Sequence, residues 1–320
     1  MIKRYTSNIY VDFYIHAAKK LKILYKIIPG YKTTLILEKN NKFLFISNAV
    51  LGINNNLSVK LTSNKYTSYQ LFDMKDIPHP KGILITSIKN LPDKIKILKK
   101  PLVVKPIKGS GGHGVTVKLN NIKNIKKAIK GAKKINKSII IEEYIEGTNF
   151  RILIYKNQIL DIVKRIPANV IGNNKNSIQQ LINKKNEKRE KVGLKKIKID
   201  NELNKELKNH TLTLKSIIPK KKTLFLRRNC NMATGGETTR VSLKNVHKDN
   251  LKLFIKSANL VNLDFAGIDF ITKDISKSYK DNNSIINEIN RFPSLDVHYF
   301  ADMKMDNSVA EKLLSMYFNF

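Results

Sequence analysis

Apolar and polar positions alternate along this 320-residue chain with two different spacings. A spacing of two residues predicts strands, and a spacing of three or four predicts helices with one buried face. The predicted helices cover residues 15–21, 64–74, 121–136, 177–190 and 249–262. The predicted strands cover residues 33–37, 42–47, 83–85, 101–106, 115–119, 138–142, 150–155, 158–164, 224–227, 265–272 and 284–289. This mixed order predicts an α+β fold with a short α/β lead-in before residue 60.

A glycine-rich loop lies between two of these strands, in VVKPIKGSGGHGVTV at residues 103–117. Its letters match the dinucleotide-binding pattern GxGxxG, but that fingerprint requires a helix after the loop, and here a strand follows. A Walker-type phosphate loop is excluded because no Lys-Ser or Lys-Thr follows the glycines. Strand, loop and strand predict a hairpin lid whose backbone N–H groups cover a triphosphate, as in protein kinases, although the other kinase motifs are absent. The alternative is an ordinary hairpin rich in glycine.

The formal net charge of +35 is compatible with nucleic-acid binding, since basic faces attract phosphates. However, only eight of the 60 basic residues are arginine, and lysine is spread over every segment without a zinc-finger, helix-turn-helix or RNA-recognition motif. We therefore interpret the charge as a bias of composition that attracts anionic ligands. The single cysteine, Cys230, excludes an internal disulfide, is interpreted as a packing residue and favours a cytoplasmic location. No apolar run is long enough for a membrane span, so no membrane partner is expected.

Carboxylates are scarce here, and two of them lie in apolar strands. Asp269 is inside residues 265–271, and Glu288 and Asn290 are inside residues 285–290. Residues two apart on a strand share one face, so Glu288 and Asn290 project together. Neighbouring strands would bring Asp269 beside them, and such oxygen donors suit Mg²⁺. A surface carboxylate with a turn asparagine is the alternative.

The order of several motifs resembles the ATP-grasp carboxylate–amine ligases, in particular the module shared by cyanophycin synthetase and the bifunctional glutathione synthetases. The resemblance covers about residues 62–300. It is carried by NKYTSYQLF (64–72), VVKPIKGSGGHGV (103–115), IIIEEYIEGTNFRILI (139–154), KRIPANVIGNNKNSIQQLI (164–182), LFLRRNCNMATGG (224–236), AGIDFI (266–271) and NEINRFPSLDVHYF (287–300). Departures are Asn149 where the family has a ribose-binding carboxylate, Asn64 for an aspartate, and Arg228 for a small residue.

The resemblance implies a role for each matching position. ATP would be bound by Lys65, Lys105, Gly109, Ser110, Gly111, Gly112, His113, Gly114, Glu142, Glu143, Ile145 and Asn149. The metal, Mg²⁺ or Mn²⁺, would be bound by Asp269, Glu288 and Asn290. Arg227, Arg165 and Asn231 are implied as catalytic residues, and Arg151, Ser294 and His298 as substrate contacts.

The resemblance implies an ATP-grasp fold with a lead-in domain (1–60), a subdomain with the glycine lid (61–145) and a subdomain with the metal site (146–320). It implies an ATP-dependent ligase that joins amino acids or short peptides through an acyl phosphate. The rival hypotheses are a basic nucleic-acid-binding protein and a catalytically inactive ATP-grasp interaction module. Homo-oligomerisation and the identity of the substrates stay open at this stage.

Overall fold

The computed structural model describes residues 4–28, 34–109 and 111–320. Its helices are α1 (Ile9–Lys20), α2 (Asn56–Thr62), α3 (Lys65–Asp73), α4 (Leu91–Ile95), α5 (Ile122–Lys133), α6 (Ile178–Lys191), α7 (Asn201–Asn209), α8 (Lys248–Leu260), α9 (Asp296–Tyr299) and α10 (Ser308–Phe318). Its strands are β1 (Leu24–Ile27), β2 (Thr34–Lys39), β3 (Lys42–Ser47), β4 (Val50–Leu51), β5 (Gly82–Ile85), β6 (Leu102–Pro106), β7 (Thr116–Leu119), β8 (Ile139–Glu143), β9 (Thr148–Tyr155), β10 (Gln158–Ile166), β11 (Asn169–Ile171), β12 (Thr223–Phe225), β13 (Glu237–Arg240), β14 (Phe265–Thr272) and β15 (Ile285–Asn290). Helices and antiparallel sheets are mixed, which confirms the α+β class.

Local signals place most element boundaries. Asn64 caps α3, because its side-chain oxygen accepts from the amides of Tyr66 and Thr67. Ser177 and Gln180 form a capping box at the start of α6. Strand β12 is shorter than predicted and ends at Phe225, so Arg227 lies beyond the strand rather than at its end. The pairing of β12 with β11 stops at Phe225, since β11 itself has only three residues.

The chain forms two compact units, and each combines segments that are distant in sequence. The first unit contains Met1–Gly52, Leu160–Val241 and Ser294–Phe320, and the second contains Ile53–Ile159 and Ser242–Pro293. The predicted domains at residues 1–60, 61–145 and 146–320 divide the chain only along the sequence. That three-part division stays a prediction.

The first unit contains the lead-in. Strands β1 to β4 form an antiparallel sheet in that order, and α1 packs beside α10. One face of the sheet is buried through Leu35, Leu37, Leu44 and Ile46. Elsewhere in this unit β10 pairs with β13, and the antiparallel pair of β11 and β12 packs against α6 in a separate apolar cluster.

The second unit contains two antiparallel sheets. In one, β5, β8, β6 and β7 lie side by side, and the buried face of α5 covers β6. In the other, β14 lies between β9 and β15. Alternate residues of β14, including Ile268 and Phe270, are fully buried, and α8 packs against this strand. The residues between them therefore project from the opposite face of the sheet.

Within residues 4–28, 34–109 and 111–320, every helix is too short or too polar to cross a lipid bilayer.

Candidate functional site

Five of the predicted site residues share one face of the sheet in the second unit. Asp269 on β14 lies directly opposite Glu288 on β15 and opposite Arg151 on β9. Asn290 lies opposite Gly267, two residues from Asp269, and Asn149 lies two residues from Arg151. Directly opposed residues and residues two apart on a strand project to the same side. The strand periodicity read from the sequence therefore brings these five side chains together.

The two carboxylates on this face each have a cationic partner. Arg151 holds Asp269 with two hydrogen bonds, from Nε to Oδ1 at 2.6 Å and from Nη2 to Oδ2 at 3.2 Å. The Lys65 ammonium lies 3.1 Å from Oε1 of Glu288. Two-point arginine pairing fixes the direction of a carboxylate as well as its charge. Both carboxylates are thus oriented on the same face by a cationic partner.

The third predicted metal ligand is an amide. Asn290 donates through Nδ2 to the carbonyl of Gly267 at 3.3 Å, so its side-chain oxygen is the atom available to a cation. Among the described residues there is no group of three or more His, Cys, Asp or Glu side chains with metal-binding geometry. A metal at this face would consequently use two carboxylates and this amide oxygen. Such a donor set suits a hard cation like Mg²⁺, which keeps its remaining positions for water and phosphate.

Strand β15 also contains an irregularity beside the acids. The pairing with β14 passes from Asp269 and Glu288 to Phe270 and Ile286, which leaves Asn287 as an extra residue. Such bulges turn neighbouring side chains and leave a backbone group outside the ladder. Here the carbonyl of Asn287 accepts from the hydroxyl of Tyr69 at 3.1 Å.

The glycine-rich segment forms the predicted loop between β6 and β7, which pair antiparallel. Gly109, Gly111, Gly112 and Gly114 all have positive φ, between 66° and 139°. Side chains disfavour these angles, so glycine supplies the backbone conformation. Lys65 donates to the carbonyl of Gly109 at 3.0 Å and thereby connects the loop with Glu288.

Two further residues of the segment were predicted to bind ATP. Ser110 lies outside the described residues. His113 is exposed between Gly112 and Gly114. The hairpin is observed, and its function as a lid stays a prediction.

Behind the loop, Lys105 and Glu142 form a buried ion pair. Nζ of Lys105 lies 2.7 Å from Oε1 of Glu142, and the two residues are 4% and 2% exposed. The hydroxyl of Tyr69 joins both, because it accepts from Lys105 at 2.8 Å and lies 3.0 Å from Oε2 of Glu142. Burial, followed by the Glu142 carboxylate, raises the pKa of Tyr69 well above its usual value, so the phenol keeps its proton. Sequence reasoning missed Tyr69, although it is four residues after Lys65 on the same helix face.

The predicted hinge, residues 142–145, begins at the end of β8. The amide of Glu143 donates to the carbonyl of Lys81 at 2.9 Å, and its carboxylate accepts from the amide of Lys99. Ile145 is the second residue after β8, and Asn149 is near the start of β9. These residues lie between the two sheets of the unit along the chain. The contacts predicted for them with adenine and ribose stay predictions.

In the first unit, Arg227 is held by acids that its motif did not reveal. It is 2% exposed and pairs with Asp200 at 2.6 Å and Glu202 at 2.5 Å. Both acids belong to the N-terminal turn of α7, where Asp200 is the capping residue. Arg228 pairs with Glu206 in the same helix. Arg227 thus anchors α7, and its predicted catalytic function stays a prediction.

Arg165 and Asn231 meet at one turn. Arg165, near the end of β10, donates to the carbonyl of Cys230 at 3.5 Å. Asn231 caps the 3₁₀ turn Met232–Thr234 by accepting from the amide of Ala233, and its carbonyl accepts from Gly236. The structure therefore brings these two predicted residues together beside Cys230, whose thiol donates to the carbonyl of Arg165.

A buried basic residue supports this turn from behind. Arg189 of α6 is fully buried and donates to the carbonyls of Lys195, Met232 and Gly236. Burial lowers the pKa of Arg189, and the nearby Glu237 carboxylate opposes that change. Sequence reasoning missed Arg189 because three of its partners are backbone carbonyls, which no side-chain pattern marks.

The two remaining predicted substrate residues lie at α9. Ser294 donates to Asp296 at 2.7 Å. His298 is fully buried, and its Nδ1 lies 2.9 Å from Asp161, which also pairs with Arg240. The contact of Ser294 and His298 with substrate stays a prediction.

Comparison with known proteins adds an independent observation. Residues 62–201 match the family described as the RimK-like ATP-grasp domain. Residues 62–201 are therefore similar to a RimK-like ATP-grasp domain.

Two kinds of relative match this ATP-grasp chain in sequence. It is 29% identical over 269 residues to cyanophycin synthetase of Trichormus variabilis, which covers 82% of this chain and 30% of that protein. It is 28% identical over 311 residues to a bifunctional glutathione biosynthesis protein of Clostridium perfringens, covering 94% of this chain and 40% of that protein. The chain thus spans about a third of the length of the curated relatives it matches.

Solved structures show the same fold. A bifunctional glutathione synthetase from Pasteurella multocida has a TM-score of 0.73 at 22% identity, over 98% of this chain and 43% of that chain. A D-alanine–D-alanine ligase from Bacillus anthracis has a TM-score of 0.50 at 17% identity, over 82% and 71%. The ATP-grasp fold predicted from the motifs is confirmed. Ligases with this fold generally use ATP and divalent metal ions.

Proposed function

We propose that this ATP-grasp chain joins a carboxylate to an amine at the expense of ATP, with an acyl phosphate as intermediate. The observation that carries the proposal is the shared face of Asp269, Glu288 and Asn290, connected through Lys65 to the glycine loop. A metal-bound triphosphate requires oxygen donors for the metal and a cationic side chain such as Lys65 for the phosphates. It also requires a loop whose backbone N–H groups can donate to the phosphate oxygens. Amino acids or short peptides are the proposed substrates.

The proposed reaction first requires two anions, the substrate carboxylate and ATP, to approach each other, and the cations of the second unit would reduce their repulsion. A substrate carboxylate and ATP repel each other unless positive groups lie between them. Lys65 and Lys105 would hold the phosphates, and the amides of Gly109–Gly114 would donate to them. Asp269, Glu288 and Asn290 would hold Mg²⁺, or Mn²⁺ in its place, which would neutralise charge on the phosphate oxygens.

Two bond changes complete the proposed reaction. A carboxylate oxygen attacks the γ-phosphorus, the bond to the bridging oxygen breaks, and ADP leaves with that electron pair. The amine nitrogen then attacks the acyl carbon, phosphate leaves, and the nitrogen loses a proton to give the amide. Because an acyl phosphate hydrolyses in water, closure of the glycine loop would protect it.

Roles for six further residues of the two units rest on their motif positions. Arg165, Arg227 and Asn231 are proposed to stabilise charge on the transferred phosphoryl group, as arginines do in other phosphoryl transfers. Arg151, Ser294 and His298 are proposed as substrate contacts. The pairing of Arg151 with Asp269 supports a further role for it in orienting that carboxylate.

The test is release of phosphate from ATP across a panel of amino acids and dipeptides, offered singly and in pairs with Mg²⁺. A signal that requires one particular pair supports ligation and identifies both substrates. Nucleotide binding without product from any pair favours an inactive interaction module. Polynucleotide binding that weakens steeply with salt, without ATP turnover, favours the nucleic-acid hypothesis.

A matched pair of variants tests the metal assignment. Glu288→Ala is expected to abolish the pair-dependent release, because one of two carboxylates of the proposed metal site is removed. Asp281→Ala removes an exposed carboxylate from the turn before β15 and should leave turnover unchanged. Full activity of Glu288→Ala would contradict the metal assignment.

A further inference from the structure

The hydroxyl of Tyr69 lies where three elements of the second unit meet. It accepts from Lys105 of β6 at 2.8 Å, and it lies 3.0 Å from Glu142 of β8 and 3.1 Å from the carbonyl of Asn287 in β15. Tyr69 itself belongs to α3 and is 3% exposed. One buried hydroxyl therefore contacts the strand before the glycine loop, the strand before the hinge and the strand of the proposed metal ligands.

The chemistry of these groups determines the direction of each hydrogen bond. An ammonium group only donates, so the Tyr69 oxygen accepts from Lys105 and has one proton left to give. Glu142 and the Asn287 carbonyl both accept that proton. Each Glu142 oxygen thus faces a donor, Lys105 at Oε1 and Tyr69 at Oε2. Both oxygens of Glu142 are consequently placed as hydrogen-bond acceptors.

An acceptor of this kind discriminates between purines. Adenine presents an amino group at position 6, whereas guanine presents a carbonyl oxygen there. A carboxylate attracts the amino group and repels the carbonyl, and a site built for one hydrogen-bond pattern rejects the wrong one strongly. The direction of the Glu142 carboxylate therefore matters as much as its charge.

The contact with Asn287 extends the effect to the other end of the site. Asn287 is the extra residue of the bulge and directly precedes Glu288. Its carbonyl lies outside the strand pairing, and Tyr69 supplies a donor for it. One turn earlier on the same helix face, Lys65 contacts Glu288 itself. Helix α3 thus holds both the Lys105–Glu142 pair and the segment that carries the proposed metal ligand.

We propose that Tyr69 is a positioning residue that orients Glu142 for an adenine base and Lys105 for the phosphates of ATP, and that it holds the bulge beside Glu288 in place. This inference rests on the proposed ATP-dependent function. The hydroxyl acts through Glu142, Lys105 and the Asn287 carbonyl, and it touches no reacting atom.

The test measures binding of MgATP and MgGTP by calorimetry for the wild type, Tyr69→Phe, Glu142→Gln and Tyr14→Phe. Tyr69→Phe removes only the hydroxyl, and we expect ATP to bind about tenfold more weakly, with a smaller preference over GTP. Glu142→Gln can turn an amide N–H₂ group towards the base, so the preference should fall further. Tyr14→Phe removes a buried hydroxyl from α1 in the first unit and should change neither affinity. Turnover should show a higher KM for ATP with kcat largely retained.

The outcomes separate the two proposals. A wild type that binds neither nucleotide would refute the proposed function itself. A wild type that prefers ATP, with an unchanged ATP-to-GTP ratio in Tyr69→Phe, would overturn the positioning role. Should Tyr69→Phe fail to fold, Glu142→Gln decides the matter, and an unchanged ratio in that variant would overturn the acceptor argument.

Discussion

The buried pair of Lys105 and Glu142 offers a quantitative test of how the second unit is built. Lys105→Met keeps the length of the side chain and removes its charge. Glu142, which is 2% exposed, then keeps the Tyr69 hydroxyl as its side-chain donor among the residues that the structure describes. Removing one member of a buried ion pair typically costs about 3–5 kcal/mol, because the other charge stays buried without compensation. We expect a loss of that size in the free energy of unfolding.

The double variant Lys105→Met/Glu142→Gln should recover most of this loss. With both charges removed, no uncompensated charge stays buried, and such replacements are often close to neutral. Glu142→Gln alone leaves Lys105 facing a neutral amide, for which we expect a cost of about 1.5–3 kcal/mol. The double variant should therefore be more stable than the sum of the single variants predicts by at least about 3 kcal/mol. ATP binding should stay weak in the double variant, since both nucleotide contacts are absent.

The assay is urea unfolding followed by circular dichroism, with nucleotide binding measured on the same samples. Lys96→Met is the matched control, because Lys96 is 74% exposed and pairs with Asp93 at a similar distance of 2.7 Å. An exposed pair of this type contributes about 0–1 kcal/mol. A loss below about 1 kcal/mol in Lys105→Met, or strictly additive single variants, would refute the reasoning that burial makes this pair costly to break.

Two further predictions concern the loop and the first unit. Gly112→Ala and Gly114→Ala both place a side chain at a φ above +70° and should each cost about 1–2 kcal/mol in the free energy of unfolding, with the larger cost for Gly114→Ala because its Cβ would lie 2.6 Å from the Ile135 side chain. The control Gly131→Ala lies in α5, meets nothing within 4 Å and should stabilise the protein by about 0.5–1 kcal/mol. Urea unfolding measures all three variants. Burial opposes ionisation of Asp200, but hydrogen bonds from Arg227 and the Leu203 amide outweigh it and lower the pKa of Asp200. Its contribution to stability should be complete above about pH 4 and be lost as the pH falls through the lowered pKa, so Asp200→Asn should flatten the stability curve below pH 4, and an unchanged curve would contradict this.

Local patterns determined the elements that carry the site. Strand β14 was predicted with its observed bounds, because a short and nearly continuous apolar run is typical of a buried strand. The alternation of side chains along a strand placed Asp269, Glu288 and Asn290 on one face once β15 pairs with β14. The glycine loop was recognisable because positive φ angles demand glycine.

Partners distant in sequence were not predictable in the same way. Tyr69 looks like an ordinary residue of an amphipathic helix, and its contacts with Glu142 and Asn287 are 73 and 218 residues away. Arg227 was predicted for phosphate, and its pairing with Asp200 and Glu202 depends on how α7 folds back. Helix α7 itself was not predicted, since it is short and mostly polar.

The sequence by itself determined which residues line a strand face, which loop needs glycine, and the ATP-grasp order of motifs. These follow from backbone sterics and the period of side chains, which act within a few residues. The tertiary structure decided which charges meet, including Arg151 with Asp269, Lys65 with Glu288 and Tyr69 between Lys105 and Glu142. Such pairings depend on distances between segments that are far apart along the chain, and a local pattern contains no measure of those distances.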